Sequence, residues 1–228
     1  MTDTGNAGSA HPTGLSISRG ARAVVLGSGG ALVCLAVLAS RPKPNRLDVA
    51  ITSRLQRRLP DVAGRALRII SSAGYAPFTH SVVLSLAANL WALDRRREAI
   101  FSVGTMGAGF TTGVIKLLVG RPRPDPRFRK HLKPFKDNSF PSGHATHYTA
   151  FYGYVFFLAG RSMPESPIRT ALMLYCLTLI CLVGPSRVYL GHHWASDVLA
   201  GHLVGLAYLA TMLQAYEAIG VLTRPTYD

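Results

Sequence analysis

Long apolar runs alternate with short clusters of charge along this chain, and the spacing of the clusters predicts the architecture. Six runs, near residues 23–40, 75–93, 99–119, 144–160, 170–183 (continuing to Arg187) and 198–218, carry almost no charge. A helix rising about 1.5 Å per residue needs ~17 to 25 such residues to cross a bilayer core. The pattern predicts an all-α, polytopic membrane bundle of about six transmembrane helices. A soluble fold would need amphipathic helices to cover six buried ones, and almost none remain. The third and sixth runs contain Gly109-x-x-x-Gly113 and Gly201-x-x-x-Gly205, a spacing that lets helices approach closely in lipid.

Two segments break the pattern. Residues 1–18 are polar and rich in Gly, Ser and Thr, which predicts a disordered extension ahead of a membrane domain over 19–228. The first run resembles a signal peptide at Val37-x-Ala39, but its polar lead is long and its apolar stretch exceeds a usual leader core, so it reads as a retained span. Residues 45–70 alternate Leu47, Ile51, Leu55, Leu59 and Val62 with Arg46, Arg54, Arg57, Arg58, Arg65 and Arg68. This predicts a basic amphipathic segment at the membrane interface, broken near Pro60.

Composition agrees with a membrane protein. The chain is 48% hydrophobic and 16% charged, with 25 Lys+Arg against 11 Asp+Glu, which argues against a disordered or nucleic-acid-binding chain. Cys34, Cys176 and Cys181 lie in apolar runs, so neither a disulfide scaffold nor a zinc site is expected. Six spans sort the connections into two sides. The N-terminus, 94–98, 161–169 and the C-terminus share one side; 41–74, 120–143 and 184–195 share the other.

The second side collects the ionisable residues. Lys116, Arg123 and Arg187 come from segments remote in sequence, and such cations, with no carboxylate expected beside them, would repel one another at low dielectric unless an anion sits between them. Phosphate matches the forked geometry of guanidinium groups. Pro141-Ser142-Gly143-His144 supplies a phosphate-binding helix start: a fixed entry, a hydroxyl, a glycine that admits close approach, and free N–H groups at a positive helix end. His193 and Asp197 are four apart, a spacing that on a helix lets the carboxylate orient the imidazole while the other ring nitrogen faces phosphorus. His144 is placed to protonate the departing oxygen; the helix end disfavours its charged form and the phosphate oxygens offset that. The chemistry expected is attack by His193, a phosphohistidine, and hydrolysis, with cationic side chains in the role a metal has elsewhere. No metal and no cofactor are expected.

These residues form three blocks. Lys116 with Arg123-Pro124 fits K-x6-R-P, Pro141-Ser142-Gly143-His144 fits P-S-G-H, and Ser186-Arg187 with His193 and Asp197 fits S-R-x5-H-x3-D. Together, over residues 116–197, they resemble the type 2 phosphatidic acid phosphatase (PAP2) superfamily, which includes bacterial membrane lipid phosphatases and vanadium-dependent haloperoxidases. The resemblance implies a helical phosphatase/haloperoxidase-like core. It also implies that Lys116, Arg123, Ser142, Gly143 and Arg187 hold the phosphate, that His144 is the general acid, and that His193 with Asp197 is the nucleophile pair. Arg121, outside the pattern, either contacts a headgroup or faces water. His147, one turn past His144, reads as a hydrogen-bonded packing residue, with a supporting partner of His144 as the alternative, and His192 is left without a role. The basic stretch 125–140 is either a membrane-surface element that helps recognise a headgroup or a solvated loop.

The leading function is an integral-membrane lipid phosphatase acting on a phosphate or diphosphate headgroup, with undecaprenyl diphosphate, phosphatidylglycerol phosphate, phosphatidic acid and lipid A as candidates. A vanadium haloperoxidase, a non-hydrolytic phospholipid binder and a lipid phosphotransferase are the alternatives. Expected partners are the bilayer and the phosphorylated lipid, with no nucleic acid; oligomeric state is left open. Arg95, Arg96, Arg97, Arg161 and Arg169 on the motif-free side suggest that this side is cytoplasmic, placing the site on the periplasmic or outer face of a bacterial plasma membrane.

Overall fold

The computed structural model describes residues 19–41, 44–130 and 137–222. The expected extension at 1–18 and residues 131–136 of the basic stretch lie outside the described residues. Those described are helical, without strands: α1 (Arg19–Ala39), α2 (Arg46–Arg58), α3 (Asp61–Ser72), α4 (Ala76–Ala92), α5 (Arg96–Gly104), α6 (Gly107–Val119), α7 (Gly143–Ser162), α8 (Pro167–Tyr189) and α9 (Ala195–Leu222), with a 3-10 turn at Pro126–Phe128.

Local chemistry sets the helix boundaries. Asn45 caps α2 by accepting from the Leu47 N–H at 3.1 Å. Pro60, which has no N–H and restricts the residue before it, separates α2 from α3. Gly120, at φ 64°, closes α6 in the left-handed conformation that glycine adopts without strain. Gly191, at φ 66°, turns the chain between α8 and α9, where a Cβ would run into the Phe128 carbonyl.

Four stretches are long and apolar enough to cross a bilayer: Gly20–Ala39, Arg96–Val119, Pro167–Tyr189 and Ala195–Ile219. The second runs through a break at Thr105–Met106 between α5 and α6. The six spans expected are not reached by this measure. α4 has only 17 residues, and α7 opens on His144, Thr146, His147, Tyr148 and Thr149. α7 is packed between α8 and α9, and a helix enclosed by its neighbours presents little surface to lipid and needs no apolar exterior.

The bundle is inverted relative to a soluble protein. Leu26, Phe110, Leu117 and Leu118 point outward at 73%, 79%, 81% and 81% exposure, while Thr52, Ser71, Thr105, Ser139, Thr146, Ser186, Arg187 and Asp197 are buried. With the four apolar helices, this distribution makes the chain an integral membrane protein. Smaller clusters fill the interior, among them Ala87, Leu90, Tyr154 and Met212 at one end and Tyr148, Val183, Val188 and Val198 nearer the other.

One of the two small-residue motifs makes a helix contact. A Cβ on Gly201 would lie 2.5 Å from the Ser142 carbonyl oxygen and 2.9 Å from Ala145 Cβ, and one on Gly205 would lie 2.6 Å from Thr149 Cβ, so these glycines let α9 press against α7. Gly109 and Gly113 have nothing within 4 Å.

The two-sided arrangement of connections is visible in long-range hydrogen bonds. Arg95 donates to Ser162 at 2.6 Å and Arg161 to Glu217 at 2.9 Å, tying one end. At the other, Arg121 reaches Asp48, Arg187 reaches Ser71, and Gln56 reaches the carbonyls of Phe128 and Tyr189.

Candidate active site

The second end gathers the motif residues. Lys116 stands in the last turn of α6, Gly120 ends that helix in the left-handed conformation, and Arg123, three residues on, reaches the His192 carbonyl. Ser142 sits at the residue preceding α7 without a side-chain capping bond, and Arg187 occupies the last turn of α8, beyond Pro185. His193 lies in the turn before α9 and Asp197 in its first turn.

His193 is almost wholly buried, and Arg123 Nη1 stands 3.2 Å from its Nε2 and donates to the His192 carbonyl at 2.6 Å. Because a guanidinium has only donors, Nε2 must accept, which assigns the ring proton to Nδ1. Burial first, then the charges of Arg123, Arg187 and Lys116, hold the His193 pKa well below the ordinary 6.5, so the ring is neutral at neutral pH.

The direct His193–Asp197 hydrogen bond anticipated from helical spacing is not made. His193 precedes the helix, and its Nδ1 lies 3.7 Å from Asp197 Oδ2. Ser139 stands between them: its hydroxyl donates to Asp197 Oδ2 at 2.5 Å and lies 3.4 Å from His193 Nδ1. Asp197 Oδ2 also accepts from the Trp194 N–H at 2.8 Å, the third-residue half of a capping box that starts α9.

Three buried polar atoms, Ser142 Oγ, His144 Nε2 and Arg187 Nε, have no hydrogen-bond partner among the described residues. Orphaned buried polar atoms of this kind are rare in folded proteins and cluster where a ligand completes the hydrogen bonding. Arg187 also donates to Ser71 Oγ at 2.5 Å. The other nitrogen of His144 is bonded to the Ser71 carbonyl, and Tyr75 stands edge-on to its ring at a centroid distance of 5.2 Å. At Gly74 a Cβ would collide with the His144 ring, so the α3–α4 turn backs this histidine closely.

Two sequence expectations are corrected here. The cations are not without a carboxylate: Asp137 lies 3.0 Å from Lys116 Nζ and 2.7 Å from Arg123 Nη2. Lys116 also donates to the Asn138 carbonyl, and the Asn138 side chain donates back to the Lys116 carbonyl at 3.0 Å. The Asp137 oxygens thus bridge two cations with the spacing that two oxygens of a phosphate offer. Burial pushes the Asp137 pKa up, but Lys116 and then Arg123 outweigh it and hold the carboxyl below its usual range. It is ionised at neutral pH.

Arg121 neither contacts a headgroup nor faces water. It is 4% exposed and joins Asp48 Oδ2 at 2.7 Å to Asp197 Oδ1 at 2.5 Å, with Ser196 Oγ 2.7 Å away. Position in sequence gives no hint of this, since Asp48 is distant and sits on a helix otherwise read as basic and amphipathic. Ser71, Tyr75, Asp137 and Ser139 likewise went unread.

His147 stacks on Phe151 at 5.7 Å, while its buried Nε2 has no hydrogen-bond partner among the described residues. Of the basic stretch, Arg129 Nε donates to the Pro124 carbonyl at 2.9 Å and Lys130 lies over the Tyr189 ring at 4.5 Å, so these two cations brace the turn; Lys133 and Lys136 lie outside the described residues.

Comparison with known proteins finds relatives in sequence and in fold. The decaprenylphosphoryl-5-phosphoribose phosphatase of Mycobacterium tuberculosis is 32% identical over 181 residues, covering 77% of this chain and 92% of that one. Phosphatidylglycerophosphatase B of Bacillus subtilis is 27% identical over 139 residues, 60% of this chain and 67% of its own. In three dimensions, the crystal structure of a transmembrane PAP2 type phosphatidylglycerolphosphate phosphatase from Bacillus subtilis superposes with a TM-score of 0.75 at 21% identity, covering 90% of this chain and 99% of that one. The PAP2 superfamily profile matches residues 97–220, and this chain belongs to that superfamily.

Proposed function

We propose that the protein is a metal-independent lipid phosphatase that works through a phosphohistidine on His193. The observation that carries this reading is a neutral imidazole whose unprotonated Nε2 points at Arg123 while Lys116 and Arg187 act on the same ring. A substrate phosphate would replace Asp137 on Lys116 and Arg123 and take up the orphaned atoms of Ser142, Arg187 and His144. Gly143, at the start of α7, brings backbone N–H groups to the same anion.

The Nε2 lone pair attacks phosphorus in line with the lipid oxygen. The P–O bond to the lipid breaks, and the departing oxygen takes the Nε2 proton of a His144 ring that carries both protons while the phosphate oxygens face it, leaving the ring neutral with its other proton on the Ser71 carbonyl. Water then attacks the phosphohistidine, giving its proton to His144 and its oxygen to phosphorus, and orthophosphate leaves with His193 regenerated. Lys116, Arg123 and Arg187 offset the charge that gathers on the phosphoryl oxygens. The named relatives act on phosphorylated lipids with different headgroups, which supports a lipid phosphate as substrate here. Five arginines at the far end, Arg95, Arg96, Arg97, Arg161 and Arg169, support a cytoplasmic location for that end and an outward-facing site.

The test is phosphate release by detergent-purified protein from phosphatidylglycerol phosphate, phosphatidic acid, undecaprenyl diphosphate, lipid A and a polyprenyl-linked sugar phosphate. At least one should be hydrolysed, EDTA should leave the rate unchanged, and His193→Ala should abolish it. Loss of activity in EDTA that magnesium restores would contradict the metal-free reading.

A further inference from the structure

Asp48 belongs to none of the three motif blocks, yet it is 3% exposed and fully engaged. Its carboxylate accepts from Arg121 Nη2 at 2.7 Å, from the Ser196 N–H at 2.9 Å and from Ser196 Oγ at 2.7 Å. Arg121 uses its other terminal nitrogen to hold Asp197 Oδ1 at 2.5 Å. A carboxylate on α2, a guanidinium from the α6–α7 connection and a carboxylate on α9 thus form one buried row, negative, positive, negative. A lone guanidinium facing Asp197 would have half its donors unpaired away from water, which is strongly unfavourable. Asp48 removes that cost and fixes the plane of the guanidinium.

The consequence reaches His193 through Ser139. With Oδ1 of Asp197 taken by Arg121, Oδ2 is left to accept from the Ser139 hydroxyl and the Trp194 N–H. A hydroxyl has a single proton. While Ser139 gives it to Asp197, this residue presents only acceptors to His193, its hydroxyl lone pairs 3.4 Å from Nδ1 and its backbone carbonyl, so the imidazole proton is held on Nδ1. If Asp197 turned aside, the hydroxyl would be free to donate to Nδ1 and so favour a proton on Nε2, the nitrogen that must attack, against the Ser139 carbonyl and Arg123 Nη1, which favour the Nδ1–H form.

We propose that Asp48 is a positioning residue for the nucleophile: through Arg121 it holds Asp197 so that Ser139 accepts from His193 Nδ1 and Nε2 stays unprotonated. This rests on the reading of His193 as the nucleophile. A purely structural strut between α2 and α9 would lower stability when cut and leave the histidine tautomer alone.

The test uses full-length protein labelled with 15N-histidine in detergent micelles, the His193 resonances being identified by their loss in His193→Gln. Arg121→Gln should convert a measurable share of His193 from the Nδ1–H to the Nε2–H tautomer, with a smaller conversion in Asp48→Asn. The double variant should match Arg121→Gln, since Asp48 reaches the Asp197 carboxylate through Arg121 and its bonds to Ser196 stop short of that carboxylate. In phosphate release, kcat should fall roughly tenfold to a hundredfold with KM and inhibition by orthophosphate within about twofold, because tautomer control is lost while the anion cradle stands. An unchanged His193 tautomer in these variants, whatever their melting temperature, would overturn the proposal. Asp48→Asn has the same shape as the native residue and carries the test if Arg121→Gln fails to fold. Should the wild type release no phosphate from any lipid, the proposed function falls, and the tautomer measurement still decides the role of Asp48.

Discussion

Asp137 offers the most direct check on the anion cradle. Its carboxylate bonds Lys116 at 3.0 Å and Arg123 at 2.7 Å, and these cations are 14% and 7% exposed against 54% for Asp137 itself. A charge-assisted hydrogen bond in a dry setting contributes about 1.5 to 3 kcal/mol, and an exposed ion pair about 0 to 1. With more than half of the Asp137 side chain in solvent, the two bonds together are worth roughly 1 to 2 kcal/mol. A phosphate that takes the same two cations must first release that carboxylate. In Asp137→Asn the competitor loses its charge, so orthophosphate and substrate should both bind about fivefold to thirtyfold more tightly, at a factor of ten per ~1.4 kcal/mol. The assay is lipid hydrolysis at several lipid and orthophosphate concentrations, in which KM and the phosphate inhibition constant should fall together while kcat holds. Since Lys116 and Arg123 keep the Asp137 carboxyl below its usual range despite partial burial, the wild-type competition should not relax at mildly acidic pH. Weaker or unchanged phosphate inhibition in Asp137→Asn would refute the reasoning, because the carboxylate would then lie beside the anion's place or help to hold it.

Three further outcomes are expected. The acid limb of kcat/KM that reports His193 should lie well below pH 6.5, since burial and then Arg123, Arg187 and Lys116 disfavour its protonation. By the same linkage the unfolded chain binds this proton more readily, so the histidine's contribution to stability is complete above about pH 6.5 and is lost as pH falls towards the folded-state value; melting curves against pH in detergent would show it. Gly201→Val should lower stability by about 1 to 3 kcal/mol and reduce phosphate release, because its Cβ would press on the Ser142 carbonyl at 2.5 Å and displace the start of α7. Gly109→Ala, with nothing within 4 Å, should leave both unchanged or slightly improved, and equal effects at the two glycines would refute the packing argument.

What the sequence reveals and conceals follows from the solvent. Charge gaps mark where the chain meets lipid, so α1, α8 and α9 are legible as spans, while α7 carries few apolar residues in its first turns because α8 and α9 enclose it. The motif residues are legible because each block is short and its internal spacing is set by one helix end: Lys116 ahead of Gly120, Ser142 at the start of α7, Arg187 before Gly191. Residues that meet the blocks from elsewhere leave no such trace. Asp48 reaches Arg121 across 73 positions and Ser196 across 148, and Arg187 reaches Ser71 across 116. One sign was nonetheless present, a single acid among Arg46, Arg54, Arg57 and Arg58. The apolar stripe of that segment drew attention to the wrong face, since Leu47, Ile51 and Val62 are exposed while Asp48 and Thr52 are buried. In water a hydrophobic stripe marks the side that packs inward, but next to a bilayer it can mark the side that faces lipid, and the polar residues opposite it are then the ones to test for a part in the chemistry.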